Sequence, residues 1–173
     1  RALEARADYG VRRNDLQHHA PGCYSVQSDI KRWNRHAENR LVAAEKVNAV
    51  AGMFSGGPVA GTMAFEEAWR LVLFNQFHDI LAGSSIPEAY AEAGEDHAEA
   101  ARMAEGMSRA ALRRLASVTD CRGPGNVVLF FNPSSWDRRE LVEVEHDGVV
   151  AGPDGGALPA QRTASGRTLV ALE

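Results

Sequence analysis

The chain has 173 residues, enough for one domain or for a small domain with part of a second. Hydrophobic residues at 45% and charged residues at 24% are the balance of an ordinary globular protein. A net charge of −4, with no long basic run, argues against nucleic acid as a partner. No apolar stretch approaches the ~20 residues that span a bilayer, so no membrane anchor is expected. RALEARADYG at the start lacks the apolar centre of a secretion signal. Cys23 and Cys121 lie too far apart for a CxxC knuckle or a disulfide framework, and two reduced thiols point to a cytoplasmic protein. The chain starts at Arg1 without an initiator methionine and stops in the strand-like run TLVALE. Both ends read as cut, so a segment of a longer polypeptide is expected.

The first fifteen or so residues carry no period, and LQHHAPGCYS with its Pro-Gly pair reads as a loop. From Ile30 the apolar positions are Ile30, Trp33, Ala37, Leu41, Ala44, Val47 and Ala51. Steps of three and four predict an amphipathic helix to about Gly52. GMFSGGPVAG is a loop by its glycines and proline. Thr62 then reads as the N-cap of a second helix running to about Leu81. Phe65, Trp69, Leu71, Val72, Leu73, Phe74, Phe77, Ile80 and Leu81 point nearly all round it, the pattern of a buried helix packed on more than one side.

Ser85-Ile-Pro-Glu88 has capping-box spacing with Pro87 near a first helical turn. A third helix follows, with Tyr90, Ala93, His97, Ala100, Ala104, Met107, Ala111, Leu115 and Val118 at near-heptad steps, suited to one member of an antiparallel bundle. Gly94 and Gly106 weaken it by up to ~1 kcal/mol each relative to alanine. DCRGPGN, residues 120–126, reads as a linker. Beyond it NVVLFFN reads as a strand, Leu141, Val142, Val144 and Val149 as one or two more, and Thr168 to Leu172 as another. The predicted fold class is mainly α: a three-helix bundle followed by a few strands that open a larger β domain, α+β overall.

Among residues that could do chemistry, Asn75-Gln76-Phe77-His78-Asp79 stands out, because polar groups in so apolar a helix are either satisfied or functional. Histidine is a common zinc ligand, and the neighbouring carboxylate could bind metal or sugar hydroxyls. By spacing alone, though, His78 reads as a hydrogen-bonded core or cap residue before it reads as a ligand. A helix C-terminus also favours histidine through the dipole. His18-His19 in a loop read as solvated before metal-binding, and His97 as a bundle residue. Asp96, His97 and Glu99 fan out to different faces of one helix. Ser84 and Ser85 read as capping residues, and Trp33 and Trp69 as core. No HExxH, GxSxG or phosphate-loop motif is present.

NQFHDILAGSSIPEAY resembles the helix that enters the active site of glycoside hydrolase family 38 α-mannosidases, whose bacterial form is close to NQFHDILPGSSI; Ala82 stands where a proline is common. LQHHAPGCYSVQSDIKRWNRHAENRLVAAEK is similar to that family's lead-in to its first bundle helix, and VVLFFNPSSWDRRELVEV to the start of its C-terminal β-sandwich. The three stretches occur in the family's order and cover about residues 14 to 145.

The resemblance implies retaining hydrolysis of terminal α-mannosides, with one aspartate as nucleophile, another as acid/base, and zinc as cofactor. It makes His78 a zinc ligand and Asp79 a contact to substrate hydroxyls. The nucleophile, the acid/base and the remaining ligands are expected upstream, on an N-terminal α/β domain of the same polypeptide. No catalytic residue is therefore expected in this segment, which alone should be inactive and bind zinc weakly. The implied layout is residues 1–25 as the tail of a catalytic domain with its lead-in loop, 26–119 as a three-helix middle domain, 120–126 as a linker, and 127–173 as the start of the β-sandwich. A helix parted from its α/β neighbour should leave an apolar patch and favour self-association. Two other readings stay open on these residues: a helical interaction module without catalysis, and a family member acting on a small mannoside such as mannosylglycerate.

Overall fold

The computed structural model describes residues 11, 13, 21–23, 25–122 and 125–172. These divide into two compact units that meet at Thr119 and Asp120. The first is helical: α1 (Ser28–Ser55), α2 (Thr62–Phe74), α3 (His78–Ala82) and α4 (Pro87–Val118). The second holds three strands, β1 (Glu140–Val144), β2 (Ala160–Arg162) and β3 (Thr168–Leu172). The α+β class follows from these elements.

α1 buries Ile30, Asn34, Ala37, Leu41, Ala44, Val47, Asn48 and Ala51, the expected stripe with two asparagines added. α4 buries Tyr90, Ala93, His97, Ala100, Ala104, Met107, Ala111 and Leu115 at the predicted steps. Four alanines on this face of α4 and three on α1 are wholly inaccessible to solvent. Small side chains let helix axes approach to the short end of the usual range, roughly 8–10 Å. Gly94 belongs to this fit: a Cβ there would lie 3.2 Å from the Trp33 ring, which packs with Ile30, Tyr90 and Ala93. The helix propensity lost at that glycine is exchanged for an indole laid against the backbone.

Ile30 packs near Tyr90 and Ala93, Arg40 pairs with Glu105 at 3.7 Å, and Arg114 reaches the Ser55 carbonyl at 3.0 Å. The two long helices therefore run in the same direction, and α2 runs back between their starts and middles. Only the α2 contacts are antiparallel, so the bundle is up-down-up rather than antiparallel throughout. Its core gathers Ala37, Leu41 and Ala44 of α1, Phe65, Ala68 and Val72 of α2, and Ala100, Ala104 and Met107 of α4. Trp69 is half-buried and donates its indole N–H to Glu45 Oε1 at 2.9 Å. Asn48 ties the α1–α2 loop down by accepting from the Val59 and Ala60 amides at 3.0 and 2.8 Å and donating to the Ala60 carbonyl at 3.0 Å.

Several local expectations are corrected. The residue that caps α2 is Gly61, in extended backbone, and Thr62 is the first helical residue. The capping box at Ser85 does not form: Ile86 is the N-cap of α4, without a side-chain bond, although Pro87 does sit in the first turn. The second helix is not continuous to Leu81; it stops at Phe74, and the next helical turn is the separate α3. Nor is it covered on all sides, since Met63, Leu73, Phe74 and Phe77 are exposed.

In the second unit β3 is central, with order β1-β3-β2 and both pairings antiparallel. Val144, Thr168 and Val170 are the buried residues of its strands. A tight turn joins β2 to β3, with the Thr163 amide bonded to the Arg167 carbonyl at 2.8 Å. At the start of the unit the Arg122 guanidinium binds Asp120 at 2.7 and 2.8 Å and holds its carboxyl below the usual range. β1 and β3 lie where apolar runs predicted them, and β2 was not anticipated. Val149 falls outside any strand, and residues 126–132 join no ladder among the described residues. Val127, Val128, Leu129 and Phe130 there are exposed. β propensity creates a strand only where a neighbouring backbone supplies the ladder, and the described residues supply none here.

Candidate functional site

The polar island of the second helix is where that helix breaks. Asn75 keeps helical backbone at φ −78°, ψ −1°, whereas Phe77 is extended at φ −52°, ψ 138°. The Gln76 and Phe77 amides bond to the carbonyls of Leu73 and Phe74, both at 3.2 Å, which tightens the last turn before the chain swings out. Neither glycine nor proline lies at the break; side chains hold it. Asn75 is buried and donates from Nδ2 to the Leu71 carbonyl and to Asp96 Oδ2, each at 2.9 Å. Gln76 donates from Nε2 to Asn34 Oδ1 at 3.1 Å and Glu38 Oε1 at 2.8 Å. One amide thus holds α4 and the other holds α1.

The far end of α3 is pinned as well. The Tyr90 hydroxyl accepts the Ser85 amide at 3.0 Å and lies 3.3 and 3.2 Å from the carbonyls of Asp79 and Ile80. Gly83 ends the helix in the left-handed region at φ 93°, where a Cβ would come within 2.8 Å of the Val26 carbonyl oxygen. Only glycine serves both needs at that position.

Between these anchors His78 and Asp79 form the first turn of α3 and face outward. The His78 side chain is 78% exposed and that of Asp79 55%. Their closest approach, Nε2 to Oδ2, is 3.7 Å, too long for a hydrogen bond. The His78 ring is tilted 49° to that of Phe77, with centroids 4.2 Å apart. Two expectations fall here. His78 is not gripped in a buried helix, and it stands at the start of a short helix rather than near a C-terminus, so the dipole argument for it lapses. The core and cap readings lapse with them: His78 is neither buried nor a cap.

The other candidates resolve differently. His97 is a bundle residue, buried, with Nδ1 donating to the Ala93 carbonyl at 2.7 Å. Asp96, His97 and Glu99 do go separate ways: Asp96 to Asn75, His97 into the core, and Glu99 to an ion pair with Arg102. Ser84 bonds back to Asp79 at 3.4 Å rather than capping α4. His18 and His19 lie outside the described residues. Among the described residues no three His, Cys, Asp or Glu side chains gather as a metal would require. The partners Asn34, Glu38, Asp96 and Tyr90 were missed as parts of this site. A polar Asn34 inside the apolar stripe of α1 was the one sequence signal available.

The family model of the alpha mannosidase middle domain matches residues 18–115, more than half of the chain. The chain belongs to that family. This middle domain is 32% identical to human Alpha-mannosidase 2C1 over 129 residues, which is 73% of this chain and 12% of that protein. It is 38% identical to Alpha-mannosidase G of Dictyostelium discoideum over 69 residues, 40% of this chain and 6% of that one. In fold it matches the crystal structure of an alpha-mannosidase from Enterococcus faecalis V583, with a TM-score of 0.69 at 18% identity, over 87% of this chain and 21% of that one. The middle domain therefore spans about an eighth of the length of its human relative.

Proposed function

We propose that this middle domain is part of a retaining, zinc-dependent α-mannosidase of glycoside hydrolase family 38 that removes terminal α-mannosides, with His78 as one zinc ligand and Asp79 as a contact to substrate hydroxyls. The observation that carries the reading is the outward display of one imidazole and one carboxylate, from a break clamped to two helices, in a chain of this family. The relatives' names supply the reaction class. Zinc suits the donors present only in part. Among the described residues neither ring nitrogen of His78 is taken by a hydrogen bond, and imidazole is a preferred donor, but the set is incomplete. The remaining ligands, the nucleophile and the acid/base belong to an α/β domain elsewhere in the longer polypeptide. In retaining enzymes the last two stand about 5 Å apart.

When bound, zinc would hold the sugar's hydroxyls and the nucleophile in register, the template role of a metal. The work of this chain is narrower. His78 presents a ring nitrogen, and Asp79 presents a carboxylate that accepts hydrogen bonds from sugar hydroxyls. The exposed Leu73, Phe74 and Phe77 supply an apolar margin that packs against the α/β domain of the same polypeptide.

The test is hydrolysis of an aryl α-mannoside by this chain and by the full-length polypeptide, each with zinc and with chelator. The chain alone should be inactive in both conditions, and the full-length protein should turn over only with zinc. His78→Ala in the full-length protein should lower zinc occupancy and remove nearly all turnover. A His78→Ala protein that keeps its zinc and its rate would refute the assignment.

A further inference from the structure

We propose that Asn75 and Gln76 are positioning residues of this site: their carboxamides lock the break between α2 and α3 to both long helices and so set the direction in which His78 and Asp79 are presented. The proposal rests on the reading of those two residues given above.

A side-chain amide has two N–H donors. Asn75 spends both, on the Leu71 carbonyl and Asp96 Oδ2, each at 2.9 Å. Gln76 spends both, on Asn34 Oδ1 at 3.1 Å and Glu38 Oε1 at 2.8 Å. Three of the four acceptors lie on other helices, and two of them are carboxylates, which strengthens those bonds. Asn75 is only 2% exposed, so its polar group is retained at a position where Val72 and Ala68 of the same helix are apolar. Were the position only core, an aliphatic side chain would fill it without the cost of desolvating an amide. The choice of amide is also chemically specific. It offers paired donors to Asp96 and Glu38 without adding positive charge, and a lysine or arginine there would set a cation near a metal ligand.

The lever is short. Gln76 precedes His78 by two residues, and Phe77 between them carries the turn from helical to extended backbone. A slip of the clamp is passed directly to the imidazole, and a misplacement of about 1 Å at a reacting centre can cost on the order of 100-fold in rate.

The experiment uses the full-length holoenzyme. Gln76→Glu is close to isosteric but removes two donors and sets a carboxylate against Glu38. Zinc affinity and kcat should each fall about 10- to 100-fold, as when the partner that orients a ligand is lost. Hydrogen exchange over residues 77–83 should quicken while α1 and α4 keep their protection. The double variant Glu38→Gln/Gln76→Glu exchanges donor and acceptor across the same contact, and the Asn34 amide can turn to donate. It should recover most of both losses, which a merely structural defect would not. Asp96→Ala, which removes the acceptor of Asn75 from a half-buried helical position, should move all three readouts in the same direction as Gln76→Glu. Unchanged exchange over 77–83 in both Gln76→Glu and Asp96→Ala overturns the clamp, whatever His78 does. So does a double variant as impaired as the single one. A His78→Ala enzyme that keeps zinc and rate, beside quickened exchange in Gln76→Glu, would instead remove the ligand reading and leave the clamp in place.

Discussion

At Tyr90 a single hydroxyl serves three backbone groups, accepting the Ser85 amide and lying within hydrogen-bonding reach of the Asp79 and Ile80 carbonyls. Tyr90→Phe keeps the ring in the cluster with Ile30 and Ala93 but leaves the Ser85 amide without that partner. A buried donor left unmet costs about 1–3 kcal/mol. The variant should therefore lower the thermal midpoint of the helical unit, measured by circular dichroism; an unchanged midpoint would mean that solvent satisfies these groups. At this scale the sequence was informative about which residues matter and silent about how they sit. Asn75 to Asp79 are visible as polar letters in an apolar run. The bonds that orient them go to residues 21 and 42 positions away, beyond the reach of any local period. Expecting His78 in a buried helix was a reasonable inference from its neighbours, and it failed because the same segment's amides bend the chain out of that helix.

Among the elements, the two long helices were legible almost residue by residue. A stripe of buried positions at steps of three and four is written directly into the chain, and alanine seams leave little freedom in how such stripes meet. The α1–α2 loop was legible as a loop but not as a tethered one. Its order rests on Asn48, whose amide replaces the partners that three backbone groups would otherwise find in water. Asn48→Ala should cost about 1–3 kcal/mol and release the loop first. Faster hydrogen exchange at Val59 and Ala60 than in the core of α1 would show it, and equal rates would contradict it. The strand expected over 126–132 shows the opposite limit. Its residues are of the right type, but a strand is a relation between two segments, and the second is not among the described residues.

The helical unit leaves large apolar side chains exposed around the break between α2 and α3. Leu73, Phe74 and Phe77 are 56, 72 and 53% exposed, on consecutive turns around the break. In the proposed setting another domain of the same polypeptide covers them. Without it, the isolated chain should self-associate, and sedimentation over a range of concentrations should show a rising weight-average mass. Phe74→Gln/Phe77→Gln should flatten that rise without loss of helical signal. A monomeric wild-type chain at all concentrations would show that the patch is too small to drive association. The sequence disclosed the surplus of apolar residues around α2, and among the described residues of the unit these side chains stay exposed.

The clamp also has a direction in time. A ribosome delivers the chain from its N-terminus, so Asn34 and Glu38 are already available when Gln76 emerges, whereas Asp96 and Tyr90 are not. Once the chain has emerged only as far as Gly83, the break can fasten to α1 but not to α4. His78 and Asp79 acquire their final aim only after a further stretch of α4 has emerged, so the posture of this turn is completed by residues made after it.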